Sequence, residues 1–202
     1  MCQQRTGNVA ELMRDAAAVK PAYDKLLKEI VGRAGLAPGA LHLPRTLKKA
    51  QRVVEKTSMV WGERRGRCDR VCDVVRSMIT VSSMAAVVRV LNALVGDTDV
   101  RIVRFKDRFL SAPSAGGWRD LMLNFVLLSD ETRHVMECQI VLEKMLMARK
   151  GLDGHAVYNR VRNASELLEY LAAEEAEALT HIMDEARAEA ILQEKRSLKM
   201  EK

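Results

Sequence analysis

The chain has 202 residues, of which 4% are aromatic and 30% charged, with a formal net charge of +6. That is the composition of an ordinary globular protein, large enough for one domain with its own core and too apolar for a disordered chain. No apolar run approaches the roughly 18 residues of a membrane span, and residues 1–14 lack a signal-like apolar centre, so no membrane partner is expected and the expected location is cytoplasmic. Cys2, Cys68, Cys72 and Cys138 fall at no zinc-ribbon spacing and read as structural or incidental thiols.

The predicted elements begin with an amphipathic helix over Val9 to Val31, where Leu12, Ala16, Val19, Tyr23, Leu26, Leu27 and Ile30 recur at helical spacing. Gly35, Pro38 and Gly39 form a linker, and Pro44 starts a second helix to about Lys56, with Arg45, Lys49, Arg52 and Lys56 on one face. Four segments rich in Val, Ile and Leu follow as strands: Val71 to Val81, Val100 to Phe109, Leu121 to Leu128 and His134 to Leu142. A helix from about Met84 to Leu94 joins the first two strands. After Leu142 come a helix to Lys150, a turn at Gly151 to Gly154 and a helix from His155 to about Val161. This order predicts an α/β (α+β) fold with a mixed sheet flanked by helices. Residues 9–162 form the domain, and 163–202 form an extension carrying a long C-terminal helix. Its stripe of Leu168, Leu171, Leu179, Ile182, Met183, Ala186 and Ala190 must be buried, either on the domain, which its alanine content favours, or against a second copy as a homo-oligomer.

Charge is unevenly distributed. Residues Arg45 to Arg70 and Arg101 to Arg108 are basic, whereas Glu166 to Glu189 is mostly acidic. A local basic patch suits a polyphosphate ligand. RNA is the alternative, but no stacking aromatics alternate with these cations as single-strand binding favours.

Particular residues carry the chemistry. Asp73 interrupts an apolar strand, where a carboxylate is costly unless a cation or metal satisfies it. The alternative is an edge-strand Asp paired with Arg76 or Arg70. Alternation puts Glu137 and Gln139 on one face, opposite Met136, Cys138 and Ile140, so Glu137 is either a second ligand or a solvent-facing acid. Likewise Arg104, Lys106 and Arg108 share a face, opposite Val103, Phe105 and Phe109. They form either a solvated basic face or donors of charge-assisted hydrogen bonds to phosphate. Gly116 and Gly117 permit close approach of the backbone to a ligand, and Trp118 after them reads as a stacking platform or a core ring.

Four motifs occur in a fixed order: Arg104-Phe105-Lys106-Asp107-Arg108, then Gly116-Gly117-Trp118-Arg119-Asp120, then Glu137-Cys138-Gln139-Ile140, then His155-Ala156-Val157-Tyr158. In that order and spacing they resemble RFKDY, NGYQSLH, EIQIRT and HWxYK of the synthetase domain of RelA/SpoT-like alarmone enzymes, over roughly Pro44 to Tyr158. The resemblance implies a nucleotidyltransferase fold and a magnesium-dependent pyrophosphokinase. Such an enzyme moves the β,γ-diphosphate of ATP to the 3′-hydroxyl of a purine nucleotide, GDP or GTP in that family. It implies Asp73 and Glu137 as magnesium ligands, with Glu137 also receiving the hydroxyl proton. Arg45, Lys49, Arg52, Lys56, Arg104, Lys106 and Arg108 would neutralise phosphates. Trp118, seated by Gly117, would stack the acceptor base in place of the family's Tyr, with Gln139, His155 and Tyr158 completing the nucleotide-binding set.

The departures are specific. The Arg five residues after the strand Asp is Met78 here, with Arg76 at three; the His of NGYQSLH is Met122; Val141 and Leu142 replace Arg-Thr; and Arg108 replaces the Tyr of KDY. Three functions follow as readings: the pyrophosphokinase, a catalytically degenerate nucleotide-binding module of the same fold, and an RNA 3′-end nucleotidyltransferase. No His-Asp dipeptide of the family's companion hydrolase occurs, so the first reading expects synthesis without degradation.

Overall fold

The computed structural model describes residues 2–58, 65–111 and 117–151, together with 164, 167, 168, 171, 172 and 175. Helix α1 spans Val9–Arg33. It starts where the Asn8 side chain accepts hydrogen bonds from the Ala10 and Glu11 amides, filling two of the amides that a helix start leaves unpaired. It stops at Gly35, whose positive φ of 65° lets the Leu36 amide return to the Val31 carbonyl at 3.0 Å. All seven apolar positions of its predicted stripe are buried.

A 3₁₀ turn at Pro38–Ala40 leads into β1, Leu41–His42. Then follow α2 (Ala50–Ser58), β2 (Arg76–Val81), α3 (Met84–Val95), β3 (Val100–Asp107), β4 (Leu121–Leu127), β5 (Met136–Leu142) and α4 (Glu143–Gly151). The sheet order is β1-β2-β5-β4-β3, with β2 and β5 parallel and the other pairs antiparallel. This is the predicted α+β architecture with a mixed sheet.

One face of the sheet presents Ile79, Val81, Cys138, Ile140, Leu121, Leu123 and Phe125 to a core shared with α1 and α3. Tyr23 of α1 stacks on Phe125 with ring centroids 5.8 Å apart. Its hydroxyl donates to the Glu137 carbonyl at 2.5 Å and lies 2.6 Å from the Ser77 hydroxyl, so the helix layer grips the backbone of β5. The opposite face carries Arg76, Met78, Glu137, Gln139, Met122, Asn124, Arg104 and Lys106, by the register of the same strands. Across part of that side lies an N-terminal arm. Its buried Gln4 bonds to Val71 and Val135, and Cys2 packs with Cys72, Val126 and Val135.

Three expectations are corrected. The first strand begins at Arg76, so Asp73 lies in the loop before β2 and not within a strand. The second helix begins at Ala50, not Pro44, which leaves Arg45 and Lys49 in the preceding extended segment and off the helix face assigned to them. A bulge between Ile102 and Arg104 breaks alternation in β3, so Val103 packs beside Cys72, Val126 and Val135 instead of opposite Arg104.

His155, Tyr158, Gly116 and most of the 163–202 extension lie outside the described residues. Within that extension residues 164, 167, 168, 171, 172 and 175 are helical, and Leu168 and Leu171 of the predicted stripe are 66% and 46% exposed. Among the described residues no helix is long and apolar enough to cross a membrane.

Candidate functional site

The loop at residues 71–75 and strand β5 bring two carboxylates to the sheet face away from α1. Asp73 sits among three cations. Lys48 Nζ donates to Oδ2 at 2.6 Å, Lys56 Nζ lies 3.6 Å from Oδ1, and Arg76 Nη1 lies 3.9 Å from Oδ2. Burial pushes the Asp73 pKa up, but the charges of Lys56 and Lys48, the Lys48 hydrogen bond and Arg76 outweigh it, holding the carboxyl below its ordinary value. Burial in turn draws the Lys48 pKa down against the pull of Asp73. Despite these cations, Oδ1 of Asp73 is buried with no hydrogen-bond partner.

Glu137 is buried, and its side chain accepts from Gln139 Nε2 at 3.0 Å. Burial raises its pKa, and the negative charge of Asp73 raises it further, opposed by the Gln139 bond and by Lys56 and Arg104. A carboxylate with a raised pKa beside one with a depressed pKa is the arrangement that separates a proton acceptor from a permanent anion. Its backbone is fixed from both sides, by the Tyr23 hydroxyl and by its own amide bonding to the Val75 carbonyl at 3.0 Å.

A second buried carboxylate has a different setting. Asp120, fully buried at the start of β4, receives Arg108 Nε at 2.6 Å and Nη2 at 2.9 Å, and accepts from the Trp118 indole Nε1 at 3.0 Å. Arg108 is therefore engaged by the fold. Trp118 is half-buried beside Gly117, whose φ of 78° requires glycine.

The remaining predicted cations divide. Lys56 reaches Asp73; Arg104 donates to Asn124 Oδ1 at 2.8 Å and acts on Glu137; Lys106 is exposed on the same face. Arg52 pairs with Glu55 on the helix surface, while Arg45 and Lys49 are exposed in the segment before it. Lys48, and not its neighbour Lys49, is the lysine of that segment that touches Asp73. Sequence reasoning missed it because a helix was assumed from Pro44. It also missed Gln4, Asp120 and Asn124. A signal existed for Asn124, a lone amide inside Leu121-Met122-Leu123-Asn124-Phe125-Val126-Leu127, which is costly unless satisfied.

Among the described residues no group of three or more His, Cys, Asp or Glu side chains converges as a metal cage. The donor set nonetheless fits magnesium, which is held by one or two carboxylates plus substrate phosphates and retains several waters. The buried Oδ1 of Asp73, which has no hydrogen-bond partner, is such a hard oxygen donor.

No family model matches the chain, and no curated protein matches it. Solved structures do. The fold is similar to small alarmone synthetase 2 from Bacillus subtilis, with a TM-score of 0.55 and 21% identity, covering 89% of this chain and 97% of that one. It is similar to small alarmone synthetase 1 from Bacillus subtilis at TM-score 0.57 and 18% identity, covering 90% and 96%. The same synthetase 1 bound to its product pppGpp gives 0.53 and 17%, covering 89% and 94%. The class is thus an α+β protein with a five-stranded mixed sheet flanked by helices. More narrowly, the chain has the fold of the small alarmone synthetases.

Proposed function

We propose that the protein is a nucleotide pyrophosphokinase, transferring the β,γ-diphosphate of ATP to the 3′-hydroxyl of a purine nucleotide. The observation that carries this reading is the Asp73 cluster: one carboxylate, three cations, and a buried oxygen with no hydrogen-bond partner, with the Asp73 charge helping to raise the pKa of Glu137. A satisfied structural ion pair needs neither the surplus cations nor a buried oxygen left without a hydrogen bond.

Lys48, Lys56 and Arg76 would engage the triphosphate, with Arg104 and Lys106 extending the positive face along β3. Asp73 and Glu137 would hold magnesium, which when bound screens the charges of the β- and γ-phosphates. Glu137 would accept the proton of the 3′-hydroxyl as its oxygen attacks the β-phosphorus. The bond from that phosphorus to the α,β-bridging oxygen breaks, AMP leaves, and the acceptor carries the 3′-diphosphate. The rise in pKa that burial and the charge of Asp73 impose strengthens Glu137 as this acceptor. Trp118, its indole held by Asp120, would stack the acceptor base. Most of the rate enhancement would come from positioning and charge neutralisation.

A second reading rests on Met78 and Met122. Both lie on the site face opposite Gln139 in the sheet register, where the resembling family carries polar groups. That pattern suits nucleotide binding without turnover. Incubation with γ-labelled ATP, Mg²⁺ and GDP, GTP, ADP or ATP as acceptor separates the two readings. Label recovered in a nucleotide more phosphorylated than the acceptor supports transfer and names the acceptor; nucleotide-dependent thermal stabilisation with no labelled product supports the binding module.

A further inference from the structure

Upstream of Arg76 the parallel ladder between β2 and β5 stops, yet the loop carrying Asp73 has to be held against the strand carrying Glu137. Two buried amide side chains take the place of the ladder. Gln4, 5% exposed, donates through Nε2 to the Val71 carbonyl at 3.1 Å and to the Val135 carbonyl at 2.9 Å, and accepts the Val135 amide at 2.9 Å. Asn124, with no exposure at all, donates through Nδ2 to the Cys72 carbonyl at 3.3 Å and the Met136 carbonyl at 3.2 Å.

The placement is regular. Gln4 ties the residue two before Asp73 to the residue two before Glu137, and Asn124 ties the residue one before each. A third brace, the Glu137 amide on the Val75 carbonyl, closes the set on the far side of Asp73. Each amide spends its donors on two carbonyls from different segments, so neither segment can slide without leaving a buried polar group unpaired. Asn124 also uses its oxygen, accepting from Arg104, which ties one of the cations acting on Glu137 to the same brace.

We infer that Gln4 and Asn124 are positioning residues that set the separation of the Asp73 and Glu137 carboxylates, and thereby the affinity for a metal–nucleotide complex. This rests on the reading of Asp73 and Glu137 as metal ligands given above. Neither amide touches substrate; both act through the backbone of the two ligand segments. The N-terminal arm is then part of the site and not a decoration. It brings Gln4 onto Val135, 131 residues away in the sequence.

The test is calorimetric binding of α,β-methylene-ATP with and without saturating Mg²⁺, for the wild type, Gln4→Met, Asn124→Leu and Asp73→Asn. Met and Leu match the amides in size and add no charge. The wild type should bind more tightly with Mg²⁺. Gln4→Met and Asn124→Leu should keep the metal-free affinity and each lose about tenfold of the Mg²⁺-dependent gain, the lower range for groups that orient metal ligands. Should Asn124→Leu fail to fold, Asn124→Ser, with one donor for two carbonyls, carries the same expectation with a smaller loss. If Asp73→Asn abolishes the Mg²⁺ gain while the amide variants retain it, the positioning inference is wrong and the ligand reading survives. If Asp73→Asn retains it too, the ligand reading itself fails. Equal loss of metal-free and metal-bound affinity in the amide variants makes the braces mere props of the fold and also overturns the inference.

Discussion

Asp73, partly buried, and Asp120, fully buried, are acids near the same sheet, and they are provided for in opposite ways. Asp120 has both oxygens filled by one guanidinium and one indole, a closed arrangement in which charge and hydrogen bonds balance. Asp73 faces three cations yet has an oxygen without a hydrogen-bond partner, and its neighbour Glu137 has a raised pKa. The first pattern is what a fold needs to bury a charge. The second is the arrangement on which the proposed metal and phosphate site rests.

Substituting the two acids should therefore do opposite things. Asp73→Asn should lower diphosphate transfer by at least about 10³-fold, because it removes charge from the proposed site of phosphate and metal binding, and should cost less stability than the loss of Asp120, because Asn can still accept from Lys48, itself only 13% exposed. Unfolding of that variant would move Asp73 to the structural side. Asp120→Ala should cost about 3–5 kcal/mol in denaturant unfolding, since it takes the carboxylate from a guanidinium that is only 19% exposed. A stable Asp120→Ala with no transfer would invert the comparison.

His134 sharpens it from another side. Its Nε2 is also buried without a partner, but the group is neutral: burial lowers its pKa from 6.5 to about 4, against the pull of Asp130 and Asp15. The unfolded chain thus takes up a proton at higher pH than the folded one. His134's contribution is fully present above pH 6.5 and is lost as pH falls toward about 4, by about 3 kcal/mol in all. Urea unfolding across that range should show the decline, and His134→Phe should flatten it. An unchanged slope in the variant assigns the acid sensitivity elsewhere.

The smallest expected effect concerns Trp118, whose indole donates to the closed acid Asp120. Trp118→Ala should weaken acceptor binding by about 1–3 kcal/mol, the scale of one stacked base, and leave ATP binding unaltered. Equal weakening of both ligands would make the ring a structural partner of Asp120 only.

Much of the fold was legible because it follows from periodicity. The α1 stripe, the order of helices and strands and the shared face of Glu137 with Gln139 all follow from spacing of 3.6 or 2. What was illegible depends on partners far apart in the chain. The loop position of Asp73 is set by Gln4, Lys48 and Asn124, at sequence separations of 67, 25 and 52 residues from Val71, Asp73 and Cys72. The Val103 bulge is likewise a tertiary event, decided by packing on Cys72, Val126 and Val135. Within the site, the acids could be picked out from sequence as costly charges in apolar surroundings. The same reasoning applied to Asn124 finds one brace, while nothing local in Cys2-Gln3-Gln4-Arg5 marks Gln4 as the other.

The most direct test of the central claim is a side-by-side transfer assay with γ-labelled ATP, Mg²⁺ and GTP or GDP, comparing the wild type with Glu137→Gln and quantifying AMP with the labelled product. The account predicts that the wild type releases AMP and diphosphorylated acceptor in equal amounts, and that Glu137→Gln, which keeps size and hydrogen bonding but cannot take the proton, is slower by about 10²-fold. Release of ADP in place of AMP, or a Glu137→Gln rate equal to that of the wild type, would contradict it.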